Sequence, residues 1–178
     1  MSRAFEKAGV TYYLCGSMAS SAQGVPRASA DVDFVADLMP HHVGPWLAAL
    51  GKDFEVDEEM LREAIEQRRS LNIFDMRSAT KVDVFVAGFD SWDREQLKRV
   101  RVGPLTRQDQ TAVALPAPED TVLAKLRWYR AGGESSDRQW ADVLGVLRVQ
   151  SGSLDLDHMR RWAKNIGVLD LLERALGT

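Results

Sequence analysis

Two aspartates separated by one residue, Asp31-Val32-Asp33, open the run Asp31–Asp37. Successive side chains of a β-strand alternate, so carboxylates at i and i+2 share one face. Two like charges side by side are costly unless a cation lies between them, and a divalent ion is the usual choice. A second β-type run, Lys81-Val-Asp83-Val-Phe-Val86, carries one acid among β-branched and aromatic residues. Upstream, at Cys15-Gly16-Ser17, an apolar strand turns toward a helix. Gly16 lets a backbone approach closely, the helix start offers unpaired N–H groups and a positive dipole end, and the Ser17 hydroxyl adds a donor. Three acids on neighbouring strands with a Gly-Ser turn are a plausible site for metal and triphosphate.

The chemistry fits hard divalent ions. Mg²⁺ binds through one or two carboxylates and substrate phosphates, and two ions about 3.5–4 Å apart serve the attacking and leaving oxygens of an in-line phosphoryl displacement. In that arrangement Asp31 and Asp33 bridge both ions. Asp83 completes the ion nearer the acceptor hydroxyl and acts as, or orients, its general base. The spacing alone carries little weight: Asp155-Leu-Asp157 has the same form and reads as a helix N-terminal cap. The first pair differs in context, since it opens an apolar strand 14 residues after Ser17. A solvated strand start for the pair, and an ordinary capped turn for Gly16-Ser17, are the bland alternatives.

The elements that must hold these residues follow from pattern and punctuation. Residues 2–9 read as a short helix closed by Gly9, 11–15 as a strand, and 18–23 as a helix capped by Ser17. Gly24 and Pro26 mark a loop before the strand 31–37. A helix opens at Pro40 and runs to about Leu50, and 58–69 is amphipathic, with Met60, Leu61, Ala64 and Ile65 on one side. Residues 71–76 and 81–86 form a hairpin, 90–97 a short helix, and 99–102 and 111–115 short strands. Pro116-Ala-Pro118-Glu-Asp is a helix entry. Helices are expected near 118–131, 136–149, 155–166 and 168–176. The expectation is an α+β chain: a small mixed sheet flanked by helices over 1–115, and a C-terminal helical bundle over 116–178.

Composition narrows the class. A chain of 178 residues, 45% hydrophobic and 28% charged, is an ordinary globular domain. Its net charge of −3 supplies no global attraction to nucleic acid. One cysteine, Cys15, excludes an internal disulfide and a cysteine-rich metal site. No apolar run approaches the roughly 18 residues that span a bilayer, and no signal segment opens the chain, so a cytoplasmic location and no membrane partner are expected.

Gly16-Ser17-x-Ala19, Gly24-x-Pro26-Arg27-x-Ser29-x-Asp31-x-Asp33-Phe34 and Lys81-x-Asp83-x-Phe85 together resemble the DNA polymerase β-type nucleotidyltransferase superfamily. Within it the chain is most similar to bacterial minimal nucleotidyltransferases of the AbiEii/MenT toxin type. The resemblance runs over roughly residues 10–145, where Lys125, Arg138 and Asp142 match the family's helical Lys…Arg-x-x-x-Asp motif. Ser29 stands where relatives often carry threonine. The resemblance implies the nucleotidyltransferase fold and transfer of a nucleoside monophosphate from an NTP to an acceptor hydroxyl, with release of pyrophosphate. It implies two Mg²⁺ ions (or Mn²⁺) on Asp31, Asp33 and Asp83, and nucleotide contacts from Gly16, Ser17 and Lys125. Arg27, Ser29, Arg138 and Asp142 would touch substrate or support the site. A toxin role would bring a cognate antitoxin.

Plainer roles stand beside these. Lys125 can be a solvated helix lysine beside Tyr129, Arg138 and Asp142 at i and i+4 can pair on the helix surface, and Arg27 can be a surface arginine. His41-His42 has no nearby partner for zinc, His158 being far along the chain. Cys15 reads as a small buried residue, and Trp128, Trp140 and Trp162 as helix-packing core. Ser17 lacks the His–Asp signature of a serine hydrolase. The basic groups Lys98-Arg-Val-Arg101, Arg127 with Arg130, and Arg160-Arg161 with Lys164 would favour a tRNA or other RNA acceptor if they converge on the acids. If they scatter, a small hydroxyl-bearing molecule such as an aminoglycoside, or a protein side chain, fits better. Two rivals remain: a nucleotide-binding or interaction module that has lost catalysis on the same fold, and another α/β fold with the acids on its surface.

Overall fold

Alternation of apolar and polar residues makes the strands. In a computed structural model that describes residues 1–105 and 112–177, α1 (Ser2–Lys7), β1 (Tyr12–Leu14), α2 (Gly16–Gln23) and β2 (Val32–Ala36) come first. A 3-10 turn at Pro40–His42 leads into α3 (Val43–Leu50), and a second at Gly51–Asp53 into β3 (Phe54–Glu55). Then follow α4 (Glu58–Gln67), the hairpin β4 (Ser70–Asp75) and β5 (Thr80–Val86), α5 (Ser91–Lys98), and the ribbon β6 (Arg101–Pro104) and β7 (Ala112–Leu115). The chain closes with α6 (Pro118–Ala131), α7 (Asp137–Val149), α8 (Leu156–Asn165) and α9 (Leu169–Leu176).

The main sheet has the order β1-β2-β5-β4-β3. Among the described residues β2 and β5 run parallel within it, and the other neighbours are antiparallel. On one face Phe34, Ala36, Leu71, Ile73, Val82, Val84 and Val86 are buried with Phe5, Trp46, Leu61 and Ile65 from the helices beneath. Phe5 stacks between Tyr12 and Trp46, with ring centroids 4.9 and 5.0 Å away. The opposite face, carrying Asp33, Val35, Asp83 and Phe85, is only partly covered. A second apolar cluster joins Val122, Leu123 and Leu126 of α6 to Val143, Val146, Met159, Leu171 and Leu172. Trp92 of α5 belongs to this second cluster, so the two halves are stitched rather than merely adjacent.

That seam is tight and polar. Gln23 Nε2 donates to the Pro116 carbonyl at 2.7 Å, and Gln150 Nε2 donates to the Gln23 carbonyl at 2.7 Å. Arg99 bonds Glu119 and Asp120 at 2.9 and 3.0 Å, and His158 Nε2 lies 3.0 Å from the other oxygen of Asp120. Both acids and the histidine are buried. At Gly24 the backbone of the α2 end meets that of α7 with no room for a side chain, and at Gly145 a β-carbon would stand 3.3 Å from the Val25 amide nitrogen.

The structure departs from sequence expectation in places. The 3-10 turn at Pro40–His42 replaces the first turn expected of an α-helix. The two-residue strand β3 is too short to show a period. Asp31 and Asp37 flank β2 instead of lying in it. Thr111, expected to start a strand, lies outside the described residues; Ala112–Leu115 form β7. Trp128 is 58% exposed, not core, whereas Trp140 and Trp162 pack against the helical cluster. Asp155 caps α8, accepting from the His158 N–H at 2.9 Å, as its spacing before an apolar run suggests.

A β-carbon at Gly24 would stand 2.7 Å from the Val146 amide nitrogen and 2.9 Å from the Gly145 carbonyl carbon, both rigid backbone. Gly24→Ala should therefore cost about 1–3 kcal/mol by overpacking. Gly44, inside α3 with open space around it, should behave oppositely, Gly44→Ala adding about 0.5–1 kcal/mol. Urea midpoints of the two variants check both signs.

Candidate active site

The site is built where β2 and β5 run side by side. Asp33 and Asp83 are register partners across that parallel pair, as are Val35 and Phe85. Neighbouring strands lie about 4.7–4.9 Å apart, so the two carboxylates rise together from the open face. Asp31 sits two residues before Asp33, just outside the strand and exposed. Burial pushes the Asp33 carboxyl above the usual carboxylate range, and the charges of Asp83 and Asp31 push it further. Lys125 and Lys81 pull the other way. Both other sequence-selected acids therefore act on Asp33.

The Gly-Ser turn lies beneath them. The Cys15 amide donates to the Asp33 carbonyl at 2.8 Å, ending β1 against β2 and starting α2 at Gly16. Gly16 has φ +61°, and a β-carbon there would collide with the Asp33 carboxylate. Glycine is required on both counts. The expectation that Ser17 caps α2 fails: Cys15 is the N-cap residue, and no side chain caps this helix. The Ser17 hydroxyl, already inside the first turn, instead donates to Ser29 Oγ at 2.6 Å. Ser29 in turn lies 3.4 Å from the Asp31 amide, which ties the loop to α2. The uncapped amides of α2 keep their capacity for an anion. Burial pushes the Cys15 thiol up, so it stays neutral.

Asp142 organises the opposite wall. Arg27 grips it with two bonds, Nε to Oδ1 at 2.8 Å and a terminal nitrogen to Oδ2 at 3.0 Å. Lys125 Nζ reaches Oδ2 at 2.6 Å. Burial alone would raise the Asp142 carboxyl, but the bonds from Arg27 and Lys125 outweigh it and hold the group below its ordinary value. Lys125 is buried, which overturns the plainer picture of a solvated helix lysine. Arg138 is exposed and, among the described residues, makes no ion pair with Asp142. The structure does not bring it to the site.

Among the described residues no three His, Cys, Asp or Glu side chains stand close enough to hold a metal ion by themselves. The donor chemistry nevertheless suits one ion. Asp33 and Asp83 are two facing carboxylates, register partners on neighbouring strands, and the partner of the Asp83 oxygens is the half-exposed Lys81 ammonium. Substrate phosphates ordinarily supply the remaining oxygens of a Mg²⁺ site. Trp128, expected to be helix-packing core, instead stands edge-on to Phe85 at 5.9 Å with its ring exposed, two strand positions from Asp83. Its helical spacing from Lys125, three residues, was the available clue.

No family model matches the chain, and no curated protein matches it. Among solved structures it is similar to the antibiotic-resistance factor ANT(2'')-Ia, with a TM-score of 0.52. The match covers 98% of this chain and 92% of that chain at 14% identity. The likeness is one of fold: an α+β nucleotidyltransferase fold with a mixed five-stranded sheet and C-terminal helices. Among the described residues no helix is long and apolar enough to cross a membrane.

Because the folded Asp142 pKa lies below its unfolded value near 3.9, its pairs contribute fully at neutral pH. That contribution is lost as pH falls through the lowered folded value. Asp142→Asn should therefore reduce stability at pH 7 and flatten the decline below about pH 4. Urea unfolding at a series of pH values on both proteins measures this.

Proposed function

We propose that this protein is a Mg²⁺-dependent nucleotidyltransferase that moves a nucleoside monophosphate from an NTP to a hydroxyl of a small molecule. The observation that carries this reading is the pairing of Asp33 with Asp83 across parallel strands, above the uncapped start of α2. The α2 amides and Ser17 would receive the triphosphate. Asp33 and Asp83, with Asp31 beside them, would hold the ion, which supplies Lewis-acid stabilisation of the phosphoryl oxygens. Asp83 would orient the acceptor hydroxyl and take its proton as the oxygen attacks the α-phosphorus. The bond to the β-phosphate then breaks and pyrophosphate leaves. Lys125 and Arg27, both bound to Asp142, would neutralise developing phosphate charge.

The acceptor is read from charge. Arg99, Arg127, Arg130 and Arg160 each face an acid of this chain: Glu119 and Asp120, Asp93, Asp170, and Glu173 respectively. With these four held by the chain's own acids, the three basic groups offer an RNA backbone less free positive charge. A compact hydroxylated acceptor, lying over the open face beside Phe85 and Trp128, fits better than tRNA or a protein side chain. No observation here favours a toxin role with an antitoxin partner.

Incubation with each labelled NTP, Mg²⁺ and a panel of aminoglycosides, other polyols and total tRNA tests the reading. Label should pass to a small acceptor, stop with chelator, and fall about 10²–10⁴-fold in Asp83→Asn, the usual scale for losing a general base. Transfer to tRNA alone would overturn the small-acceptor part. Metal-dependent NTP binding without any transfer would favour the inactive module on this fold, and no NTP binding at all would sink both.

A further inference from the structure

The carboxylate best placed to hold an ion near the acceptor already carries a cation. Lys81 Nζ lies 3.0 Å from Asp83 Oδ1 and 3.1 Å from Oδ2, so one ammonium straddles both oxygens. Lys81 precedes Asp83 by two residues on β5, which puts both side chains on the open face. Neighbouring β4 offers Asp83 only Asn72 in register and Lys81 only Phe74, neither of them charged. On the β2 side stands Asp33, whose charge repels Asp83. The ammonium is thus the neutralising group for Asp83 in the metal-free protein.

We propose that Lys81 is an exchangeable counter-ion: it holds the Asp83 carboxylate in the metal-free protein and gives it up to a divalent cation. This rests on the metal-dependent reading above. Mg²⁺ takes carboxylate oxygens at about 2.0–2.1 Å and orders its neighbours strictly. An ammonium across both oxygens competes for the same lone pairs and repels the incoming charge. Lysine suits the exchange, being a point charge on a flexible stem, where an arginine fork would fix the carboxylate bidentately. The Lys81 side chain is 45% exposed, so it can leave for water with little disturbance. Lys81 is a positioning residue here, acting through Asp83.

Calorimetric titration of chelator-treated protein with Mn²⁺, without nucleotide and at fixed salt, tests this independently of turnover. Lys81→Met should bind Mn²⁺ about two- to five-fold more tightly, the scale set by a half-exposed ion pair. It should also melt lower than wild type in chelator and recover most of the difference on adding Mn²⁺. In an Asp83→Asn background the tightening should vanish, because the carboxylate being contested is gone. Unchanged or weaker binding by Lys81→Met overturns the proposal. So does tightening that persists with Asp83→Asn, which would show a general field effect of one lost charge. Wild type that binds no Mn²⁺ without nucleotide overturns this inference alone, because in the metal-dependent reading substrate phosphates complete the ion's shell and label transfer is the test. Normal wild-type binding with no Lys81→Met effect overturns it as well.

Discussion

Everything at the site depends on β2 running parallel to β5. Parallel neighbours need a long crossover, and here α3, β3, α4 and β4 lie between the two strands in sequence. The register that results sets Asp33 against Asp83 and Val35 against Phe85. A slip of one residue would turn Asp33 inward, onto the face that buries Phe34 and Val84. The apolar alternation of both strands forbids that slip. The core beneath the sheet therefore fixes the position of the carboxylates above it.

The second constraint is the seam. Asp142 of α7 holds both Arg27 of the loop and Lys125 of α6, so one buried carboxylate positions two cations from separate parts of the chain. Gly24 and Gly145 permit the approach that makes those bonds short. A site built this way carries unfavourable local electrostatics at Asp33 and offsets them through packing elsewhere. The Trp128 ring is exposed, and the sheet face that carries Asp33 and Asp83 is only partly covered.

The elements most legible in the sequence were those with strong period or capping chemistry: the amphipathic α4, the hairpin β4–β5, and the helices after Pro118. The Asp33–Asp83 pair was legible because alternation decides which strand residues share a face; Asp31, outside β2, is not placed by that rule. Ser17 was misread as a cap because a Ser before an apolar run usually is one. The positive φ at Gly16 starts the helix earlier and turns that hydroxyl to Ser29. Trp128 was misread because helical spacing identifies a shared face without saying what covers it. Arg138 and Asp142 satisfied an i, i+4 rule that Arg27 and Lys125, far away in sequence, outcompeted by burying the acid.

By itself the sequence determined residue chemistry and local geometry: the acids, the strand faces that carry them, and a glycine where a backbone must turn sharply. Short-range sterics and alternation suffice for that. Only the tertiary structure decided which charges meet. The pairing of Lys81 with Asp83 against Asp33, and of Asp142 with Arg27 and Lys125, depends on register and helix packing. Those are long-range contacts, and electrostatic energy depends on the distances and burial they create.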